Sequence, residues 1–319
     1  MTQCLVTGGA GFIGSHLVEH LLAAGHQVRV LDDFTTGKRE NLAAVQDRVE
    51  VRAGSITDPD AVRAAVREVQ WIFHLAALPS VQRSIEEPLT SHAACATGTL
   101  QVLDAARQAG VHRVVYAASS SAYGDIPGTT RTEDDPLSPM SPYAAAKLAG
   151  EHYCRCFTTS YGLETVRLRF FNIFGPRQDA RSPYSGVIAL FLAAMAAGKS
   201  PTIYGDGQQS RDFTYVDNAV QAVVKAAAAP AAVGQVYNVG VGSSTSVLDL
   251  VRTLNELLGR HIQPQHGPAR LGDVRYSQAD ISRARRDLGY EPTVSFKEGL
   301  RRTLAAYLSS QGQAGERGV

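Results

Sequence analysis

A glycine-rich turn near the start of the chain constrains the possible folds most strongly. Gly8, Gly11 and Gly14 follow the apolar segment Gln3–Thr7 and open residues 12–24, where apolar side chains recur at helical spacing. Glycines at these places turn the chain, let the backbone approach a pyrophosphate and let the helix pack on the strand. The pattern therefore predicts a dinucleotide-binding turn, with the phosphates at the helix N-terminus.

The first half of the chain alternates between strand-like and helix-like segments. Continuous apolar runs predict strands at 27–31, 49–52, 71–75, 113–117 and 165–170, and helices are predicted at 59–69, 91–109 and 143–161. This alternation is typical of a parallel sheet covered on both faces. The predicted fold class is α/β, a Rossmann doubly wound parallel sheet that forms a dinucleotide-binding domain over residues 1–172.

The second half has a different texture. Loops rich in Gly, Pro, Asp and Arg at 175–186, 204–213 and 267–280 separate shorter segments, and regular strand–helix alternation ends. Residues 173–319 are therefore predicted to form mainly a smaller C-terminal α+β domain that binds the substrate. Val236–Val239, within 213–245, is predicted to be a strand that returns to the first sheet.

Composition and charge exclude several classes of function. The formal net charge of +1 gives no overall field for nucleic acid or an anionic membrane. The longest apolar stretch, 187–197, is far shorter than a membrane span, and the early glycine-rich turn leaves no room for a signal peptide. The four cysteines show neither zinc-type spacing nor the density of a disulfide framework. We therefore expect a cytoplasmic protein with no nucleic-acid partner, no membrane partner and no metal site.

Asp32 stands where a dinucleotide fold distinguishes its cofactors. A carboxylate at the end of the second strand would bind the adenosine ribose hydroxyls and repel a 2′-phosphate, so NAD is predicted rather than NADP. Two alternatives remain: Asp32 and Asp33 could cap the following helix, and Lys38 and Arg39 could meet a 2′-phosphate. The predicted cofactor contacts are Gly8, Gly11, Phe12, Ile13, Asp32, Gly37, Ser55, Ile56, Leu75, Ala76, Ala77 and Phe170, together with Tyr143 and Lys147.

A Tyr-x-x-x-Lys pair supplies a candidate proton-transfer group. Tyr143 and Lys147 are spaced i, i+4 and so lie on one face of a helix. A neighbouring ammonium and a positive nicotinamide ring would lower the pKa of the phenol from about 10 and make Tyr143 a general base or acid near neutral pH. Ser119, at the end of the fifth strand, could hydrogen-bond the same substrate hydroxyl, and Lys147 could bind the nicotinamide ribose. These three are the predicted catalytic residues; the alternative is a surface pair on an amphipathic helix.

With these motifs in place, the chain resembles the extended short-chain dehydrogenase/reductases, specifically nucleotide-sugar 4-epimerases. The resemblance covers nearly the whole chain and is carried by TGGAGFIG at 7–14, HLAA at 74–77, SSSAYG at 119–124, PYAAAK at 142–147, RFFN at 169–172, and residues 205–217 and 273–280. It implies a Rossmann domain with a small sugar-nucleotide domain, tightly bound NAD that is regenerated in every cycle, and a homodimer. The dimer would pair the helices predicted at 91–109 and 143–161 as a four-helix bundle.

Further segments, SVQRS at 80–84, PRQD at 176–179, SRDF at 210–213 and SQAD at 277–280, are most similar to those of UDP-N-acetylhexosamine epimerases. That resemblance implies a diphosphate site, a uridine site and a serine at 277 that leaves room for an N-acetyl group. The predicted substrate contacts are Ser80, Ser121, Asn172, Val187, Tyr204, Arg211, Arg270, Asp273 and Ser277. Alternatives are that the serines at 80 and 121 bond local backbone, and that Arg211 pairs with Asp212 or Asp217.

The predicted function is NAD-dependent inversion of the C4 hydroxyl of a UDP-hexose through a 4-keto intermediate. The favoured pair is UDP-GlcNAc/UDP-GalNAc, with UDP-glucose and UDP-galactose also accepted. The family's 4,6-dehydratases carry an Asp-Glu pair where this chain has Ser120 and Ser121, which cannot protonate a leaving hydroxyl. Asp179 would repel a uronic acid, although Arg177 and Arg181 lie near it. UDP-glucose 4-epimerase proper, a UDP-glucuronate 4-epimerase and another nucleotide-sugar oxidoreductase or dehydratase remain open.

Overall fold

Strands and helices follow one another along the chain, in regular alternation in its first half. The structure is a computed structural model that describes residues 2–179, 186–269 and 274–316. The strands are β1 Gln3–Thr7, β2 Gln27–Asp32, β3 Val49–Ala53, β4 Trp71–His74, β5 Arg113–Ser119, β6 Thr130–Arg131, β7 Glu164–Phe170, β8 Ile173–Phe174, β9 Thr202–Tyr204, β10 Ser210–Arg211, β11 Thr214–Tyr215, β12 Val236–Val239, β13 Thr245–Ser246, β14 Gln265–Gly267 and β15 Tyr276–Ala279. The helices are α1 Phe12–Ala23, α2 Pro59–Ala65, α3 Val81–Glu86, α4 Pro88–His92, α5 Gly98–Gln108, α6 Pro142–Tyr161, α7 Val187–Ala196, α8 Val216–Ala228, α9 Val247–Leu258, α10 Ser282–Leu288 and α11 Phe296–Glu316.

The main sheet has seven strands in the order β12-β7-β5-β4-β1-β2-β3, and every neighbouring pair is parallel. Its central strands are buried, as Leu5, Ile72 and Val114 illustrate, because helices cover both faces of the sheet. The predicted fold class, an α/β doubly wound parallel sheet, is confirmed. The carboxyl ends of β1, β2, β4, β5 and β7 meet at one edge, where such sheets bind ligands.

Two predicted helices differ from the observed ones. The helix predicted at 59–69 ends at Ala65, because Glu68 adopts a positive φ of 62° that a right-handed helix cannot continue. The helix predicted at 91–109 starts earlier, as α4, and passes through a π-helical turn at Ala93–Thr97 before α5. Such single π turns are frequent at functional sites.

The second half of the chain forms shorter strands that exchange with the first half. A small sheet has the order β13-β10-β15-β6, so β6 of the first half joins strands of the second. In return, β12 pairs with β7 at the edge of the main sheet. Because strands cross in both directions, the bounds 1–172 and 173–319 stay a prediction.

Helix α6 is delimited by ordinary helix signals. The Ser141 hydroxyl accepts a hydrogen bond from the Ala144 N–H at the start, Pro142 occupies the first turn, and Gly162 ends the helix in the left-handed conformation with φ of 71°. This places Tyr143 and Lys147 in the first two turns, beside the carboxyl end of β5. In the part of the chain that the structure describes, no helix has the length and apolarity needed to cross a membrane.

Candidate active site

The glycine-rich turn is packed so closely that side chains could not replace its glycines. A Cβ at Gly8, whose φ is 71°, would lie 2.8 Å from the Ala76 nitrogen, and a Cβ at Gly14 would lie 2.1 Å from the Gly8 carbonyl oxygen. Helix α1 follows with Gly11 as its N-cap and no side-chain capping bond. The first N–H groups of α1, including those of Phe12 and Ile13, are therefore left for an anion. This cradle fits the pyrophosphate of a dinucleotide.

Asp32 is buried at the end of β2 and faces the glycine-rich turn. Its Oδ2 accepts a hydrogen bond from the Ala10 N–H and its Oδ1 accepts one from the Phe34 N–H, both at 2.9 Å. Burial raises the pKa of this carboxyl, and the two N–H donors oppose that rise. A Cβ at Gly37 would lie 2.7 Å from Oδ1, so the loop after β2 also closes on the carboxylate.

The contacts of this loop give no support to helix capping by Asp32 or Asp33, or to a 2′-phosphate site at Lys38 and Arg39. The 3₁₀ helix Arg39–Arg48 has Lys38 as its N-cap and no side-chain capping bond, so neither Asp32 nor Asp33 caps it. The Lys38 ammonium pairs with Asp179 at 3.5 Å, and the Arg39 guanidinium lies 4.2 Å from the centroid of the Phe34 ring.

The remaining predicted cofactor residues lie at the same edge of the sheet. Ser55 and Ile56 follow β3; the Ser55 hydroxyl lies 2.9 Å from that of Thr57, and Ile56 is buried against Gly98. Leu75, Ala76 and Ala77 follow β4 and are partly exposed. Phe170 ends β7 directly opposite Ser119. The structure thus brings these residues to the carboxyl ends of the strands, where Leu75 and Ala76 contact Gly8.

The predicted catalytic residues converge at the end of β5. Burial and the neighbouring Cys95 raise the pKa of Tyr143 above 10, and the nearby Ser119 side chain opposes part of that rise. The predicted lowering of this pKa requires the positive nicotinamide ring as well as Lys147 and stays a prediction for the cofactor-bound protein. In the protein alone, desolvation of the buried phenol dominates. Lys147 is itself only 3% exposed, and burial lowers the pKa of its ammonium. The alternative of a surface pair is excluded by this burial.

Two of the predicted substrate residues are neighbours on adjacent strands. Arg211 of β10 is the register partner of Ser277 of β15. Asn172 follows β7 with a positive φ of 36°, and its carbonyl oxygen accepts a hydrogen bond from the Thr214 N–H. Backbone held in this conformation is common at functional sites.

The other predicted substrate residues are more scattered. Tyr204 ends β9 with 38% of its surface exposed, and Val187 is the first residue of α7. The Ser80 hydroxyl accepts from the Arg83 N–H and caps α3, and the Ser121 hydroxyl lies 2.8 Å from that of Ser119. Ser80 therefore bonds local backbone, which was the alternative to substrate binding. Ser121 instead lies beside the predicted catalytic residue Ser119. Arg270 and Asp273 lie outside the described residues.

Sequence reasoning missed the role of a buried carboxylate beside the predicted substrate residues Arg211 and Ser277. Asp212 is fully buried, and its two oxygens accept hydrogen bonds from the backbone N–H groups of Val241, Gly242 and Ala279 and from the Thr214 hydroxyl. Its own N–H donates to the Ser277 carbonyl oxygen. Its position after Arg211 led to its interpretation as an ion-pair partner, but these donors fill its carboxylate, and Asp217 lies 3.5 Å from Arg302.

Comparisons with known proteins agree with this geometry. A model of the NAD dependent epimerase/dehydratase family matches residues 4–240. A UDP-glucose 4-epimerase of Mycolicibacterium smegmatis is 42% identical over 306 residues, which cover 95% of this chain and 97% of that protein. These likenesses confirm the predictions of NAD as the cofactor and of an isomerase of the epimerase type.

Two solved structures are similar over almost their whole length. The UDP-glucose 4-epimerase of Thermotoga maritima with UDP-glucose has a TM-score of 0.93 and 36% identity, covering 97% of this chain and 99% of that one. The UDP-N-acetylglucosamine 4-epimerase of Methanobrevibacter ruminantium with UDP-N-acetylmuramic acid has a TM-score of 0.93 and 37% identity, with the same coverage. The likeness extends across both halves of the molecule.

Proposed function

Since the chain belongs to the NAD-dependent epimerase/dehydratase family, we propose that it inverts the C4 hydroxyl of a UDP-hexose. The favoured substrates are UDP-GlcNAc and UDP-GalNAc, with UDP-glucose and UDP-galactose also accepted. The observation that carries this proposal is the convergence of Ser119, Tyr143 and Lys147 beside a pyrophosphate cradle. Ser277, a small side chain opposite Arg211, supports the acetylated pair.

Each catalytic side chain has a task that follows from its position. Tyr143 removes the proton of the C4 hydroxyl and later returns one, and Ser119, whose side chain is near Tyr143, orients that hydroxyl. Lys147 binds the nicotinamide ribose and stabilises the phenolate electrostatically. When bound, NAD would supply reversible hydride transfer at C4 and a positive charge that would lower the pKa of Tyr143.

The substrate half must hold the nucleotide tightly while the sugar turns. The 4-keto sugar has to rotate about its phosphate link without leaving, so the binding energy belongs on the UDP moiety. We assign the diphosphate to Asn172 and Arg211, with Arg270, because guanidinium groups clamp phosphates with charge-assisted, bidentate hydrogen bonds. Asp273 binds the uridine ribose and Tyr204 lies by the uracil in this proposal. Val187, at the start of α7, lines the same site.

Elimination and uronate chemistry are less well supported by the residues present. Ser120 and Ser121 follow Ser119 in a 3₁₀ turn, where a dehydratase needs an acid to protonate the leaving hydroxyl. The Arg177 guanidinium is paired with Glu19 of α1, which neutralises the cation that a uronic acid would want. Arg181 lies outside the described residues. These observations favour a neutral hexose.

We also propose that the enzyme acts as a homodimer in the cytoplasm. Ile85 of α3 and Leu89 of α4 are 58% and 83% exposed, and Tyr153 of the neighbouring α6 is 37% exposed. Such an apolar surface on packed helices is suited to a second copy of the chain. Light scattering of the wild type and of Leu89→Glu tests the proposed dimer. A wild type that is monomeric at micromolar concentration would contradict it.

The proposed cytoplasmic location rests on the cysteines. The four free cysteines are consistent with a reducing compartment.

The deciding experiment incubates the purified protein separately with UDP-GlcNAc, UDP-glucose and UDP-glucuronate, without added NAD, and separates the products by chromatography. We expect conversion of the first two to their C4 epimers, with the acetylated sugar preferred and no lasting absorbance of reduced nicotinamide. Net NADH formation or loss of water from the sugar would contradict the proposal. Conversion of UDP-glucuronate alone would reassign the substrate.

A further inference from the structure

Lys147 is a buried cation whose partner is an aromatic ring. Its Nζ lies 4.4 Å from the centroid of the Tyr116 ring. Within the described residues, no carboxylate pairs with this ammonium and no acceptor hydrogen-bonds it. A buried ammonium without a partner is costly, and an aromatic face attracts a cation through its quadrupole. The ring of Tyr116 is therefore the stabilising group that this chain provides.

The Tyr116 ring is held in place from several sides. Its side chain is fully buried, and its hydroxyl donates a hydrogen bond to the backbone oxygen of Lys147 at 3.1 Å. A Cβ at Gly150, one turn further along α6, would lie 2.4 Å from that hydroxyl. Glycine at 150 thus lets the hydroxyl reach the helix backbone, which fixes the ring beneath the ammonium.

His74 packs against the same ring and is kept neutral. Its ring centroid lies 5.6 Å from that of Tyr116, its Nδ1 lies 2.7 Å from the Thr7 hydroxyl, and its Nε2 lies 3.0 Å from the Thr99 hydroxyl. The Thr99 hydroxyl donates its proton to the Cys95 carbonyl oxygen, so its oxygen accepts from the Nε2–H group. Nδ1 is then an acceptor for Thr7, which assigns the neutral Nε2–H tautomer.

The lowered pKa of His74 agrees with a neutral ring. Complete burial, with the charge of Lys147 as a smaller cause, lowers the pKa of His74 to about 3. The groups that face Lys147 are His74 of β4, Tyr116 of β5, Cys95 of the π turn and Cys154 of α6. Because His74 stays neutral, Lys147 is the one positive charge in this set.

We propose that Tyr116 is a positioning residue that keeps the Lys147 ammonium charged and in place, with neutral His74 supporting the ring from β4. The inference rests on the proposed role of Lys147 in the epimerase site. It assigns Tyr116 no contact with the substrate. Its effect on turnover passes entirely through Lys147.

The charge state of Lys147 can be measured directly because the chain has few lysines. They are Lys38, Lys147, Lys199, Lys225 and Lys297. Protein labelled with carbon-13 at lysine Cε gives a separate NMR titration for each residue, and a Lys147→Met sample assigns the signal. The variants are Tyr116→Leu, which removes the ring, and Tyr116→Phe, which keeps it. Phe73→Leu on β4 is the control for losing a buried aromatic ring elsewhere in the sheet.

A cation held by an aromatic face should lose its proton more readily when the face is removed. We expect Tyr116→Leu to lower the pKa of Lys147 by roughly 0.5–1.5 units, with the basic limb of the kcat profile moving the same way. Tyr116→Phe and Phe73→Leu should leave that titration in place. If Tyr116→Leu does not fold, progressive fluorination of a phenylalanine at 116 weakens the quadrupole without changing the shape, and the pKa of Lys147 should fall stepwise.

An unchanged Lys147 titration in Tyr116→Leu or in the fluorinated series, or an equal shift in Phe73→Leu, would overturn the inference. This outcome is distinguishable from failure of the proposed function. A wild type that epimerises no UDP-sugar but shows the Lys147 shift would refute the function and leave the role of the ring intact.

Discussion

Two buried aspartates, one in each half of the molecule, show how the halves differ. An ionised carboxylate offers about four acceptor positions. Asp32 in the cofactor half uses two of them, on the N–H groups of Ala10 and Phe34. Asp212 in the substrate half accepts four hydrogen bonds, two at each oxygen.

The two carboxylates therefore differ in how many acceptor positions the described residues of the protein fill. Asp32 keeps two acceptor positions, which matches the pair of ribose hydroxyls that it is proposed to bind. Asp212 has no position left and instead ties the loop after β12 to β15, the strand that carries Ser277. In the proposed function, the first half binds its ligand with groups left partly unsatisfied. The buried carboxylate of the second half instead holds short strands together.

Tyr143→Phe should have the largest effect, a loss of kcat with little change in ligand binding. The variant lacks the phenol that is proposed to take the C4 proton, so we expect kcat to fall by about 10²–10⁴-fold. Isothermal titration calorimetry should show near-wild-type affinities for NAD and UDP, because the glycine-rich turn, Asp32 and the proposed diphosphate clamp are unchanged and phenylalanine keeps the aromatic ring. Turnover close to the wild-type rate would remove Tyr143 from its role as base.

Asp212→Asn should weaken the substrate half selectively. An amide presents N–H groups to at least one of the backbone donors that the carboxylate accepts, so we expect a loss of about 2–4 kcal/mol in the free energy of unfolding. The KM for the UDP-sugar should rise while the affinity for NAD is kept. Equal losses in sugar and NAD binding would show that the carboxylate supports the whole fold and not one half.

The difference in unfolding free energy between the wild type and Asp212→Asn should depend on pH, with a sign that follows from the pKa of Asp212. Burial raises the pKa of Asp212 from 3.8 to about 6, so the folded protein binds this proton more tightly than the unfolded chain. The stability that this group contributes therefore increases as the pH falls through 6, and it is lost as the pH rises. Between pH 7 and pH 4 the wild type should gain about 2 kcal/mol relative to Asp212→Asn in urea unfolding. A constant difference across this range would contradict the raised pKa.

Asp32→Asn should weaken the cofactor half. The amide can accept fewer hydrogen bonds from the ribose, so the affinity for NAD should fall about 10–100-fold, while the KM for the sugar at saturating NAD stays unchanged. Asp33→Asn is the matched control, since its carboxylate bonds only the Thr35 N–H among the hydrogen bonds described. If Asp32→Asn also gains affinity for NADP relative to NAD, this result would support the proposal that the Asp32 carboxylate excludes the 2′-phosphate.

The two halves also differ in how far sequence patterns predict them. The strands of the main sheet, the glycine-rich turn and α6 follow from local signals, because periodicity, glycine and capping residues act over a few positions. The two-residue strands β6, β10 and β13 carry no periodicity and exist only through pairing. The roles of Tyr116, His74 and Asp212 were likewise out of reach, since each depends on partners far away in the chain. The burial of Tyr143, which raises its pKa in the protein alone, likewise cannot be read from residue spacing.

Ser277→Tyr should have the smallest effect, a change of selectivity. Ser277 is partly buried on β15 beside Arg211, where a larger side chain would project toward the proposed sugar site. We expect kcat/KM for UDP-GlcNAc to fall about tenfold more than that for UDP-glucose, as ordinary steric discrimination in a pocket allows. Ser277→Ala is the control and should leave the ratio unchanged, because it removes a hydroxyl without adding volume. Equal losses on both sugars would place the size limit elsewhere and reduce Ser277 to a structural neighbour of the diphosphate clamp.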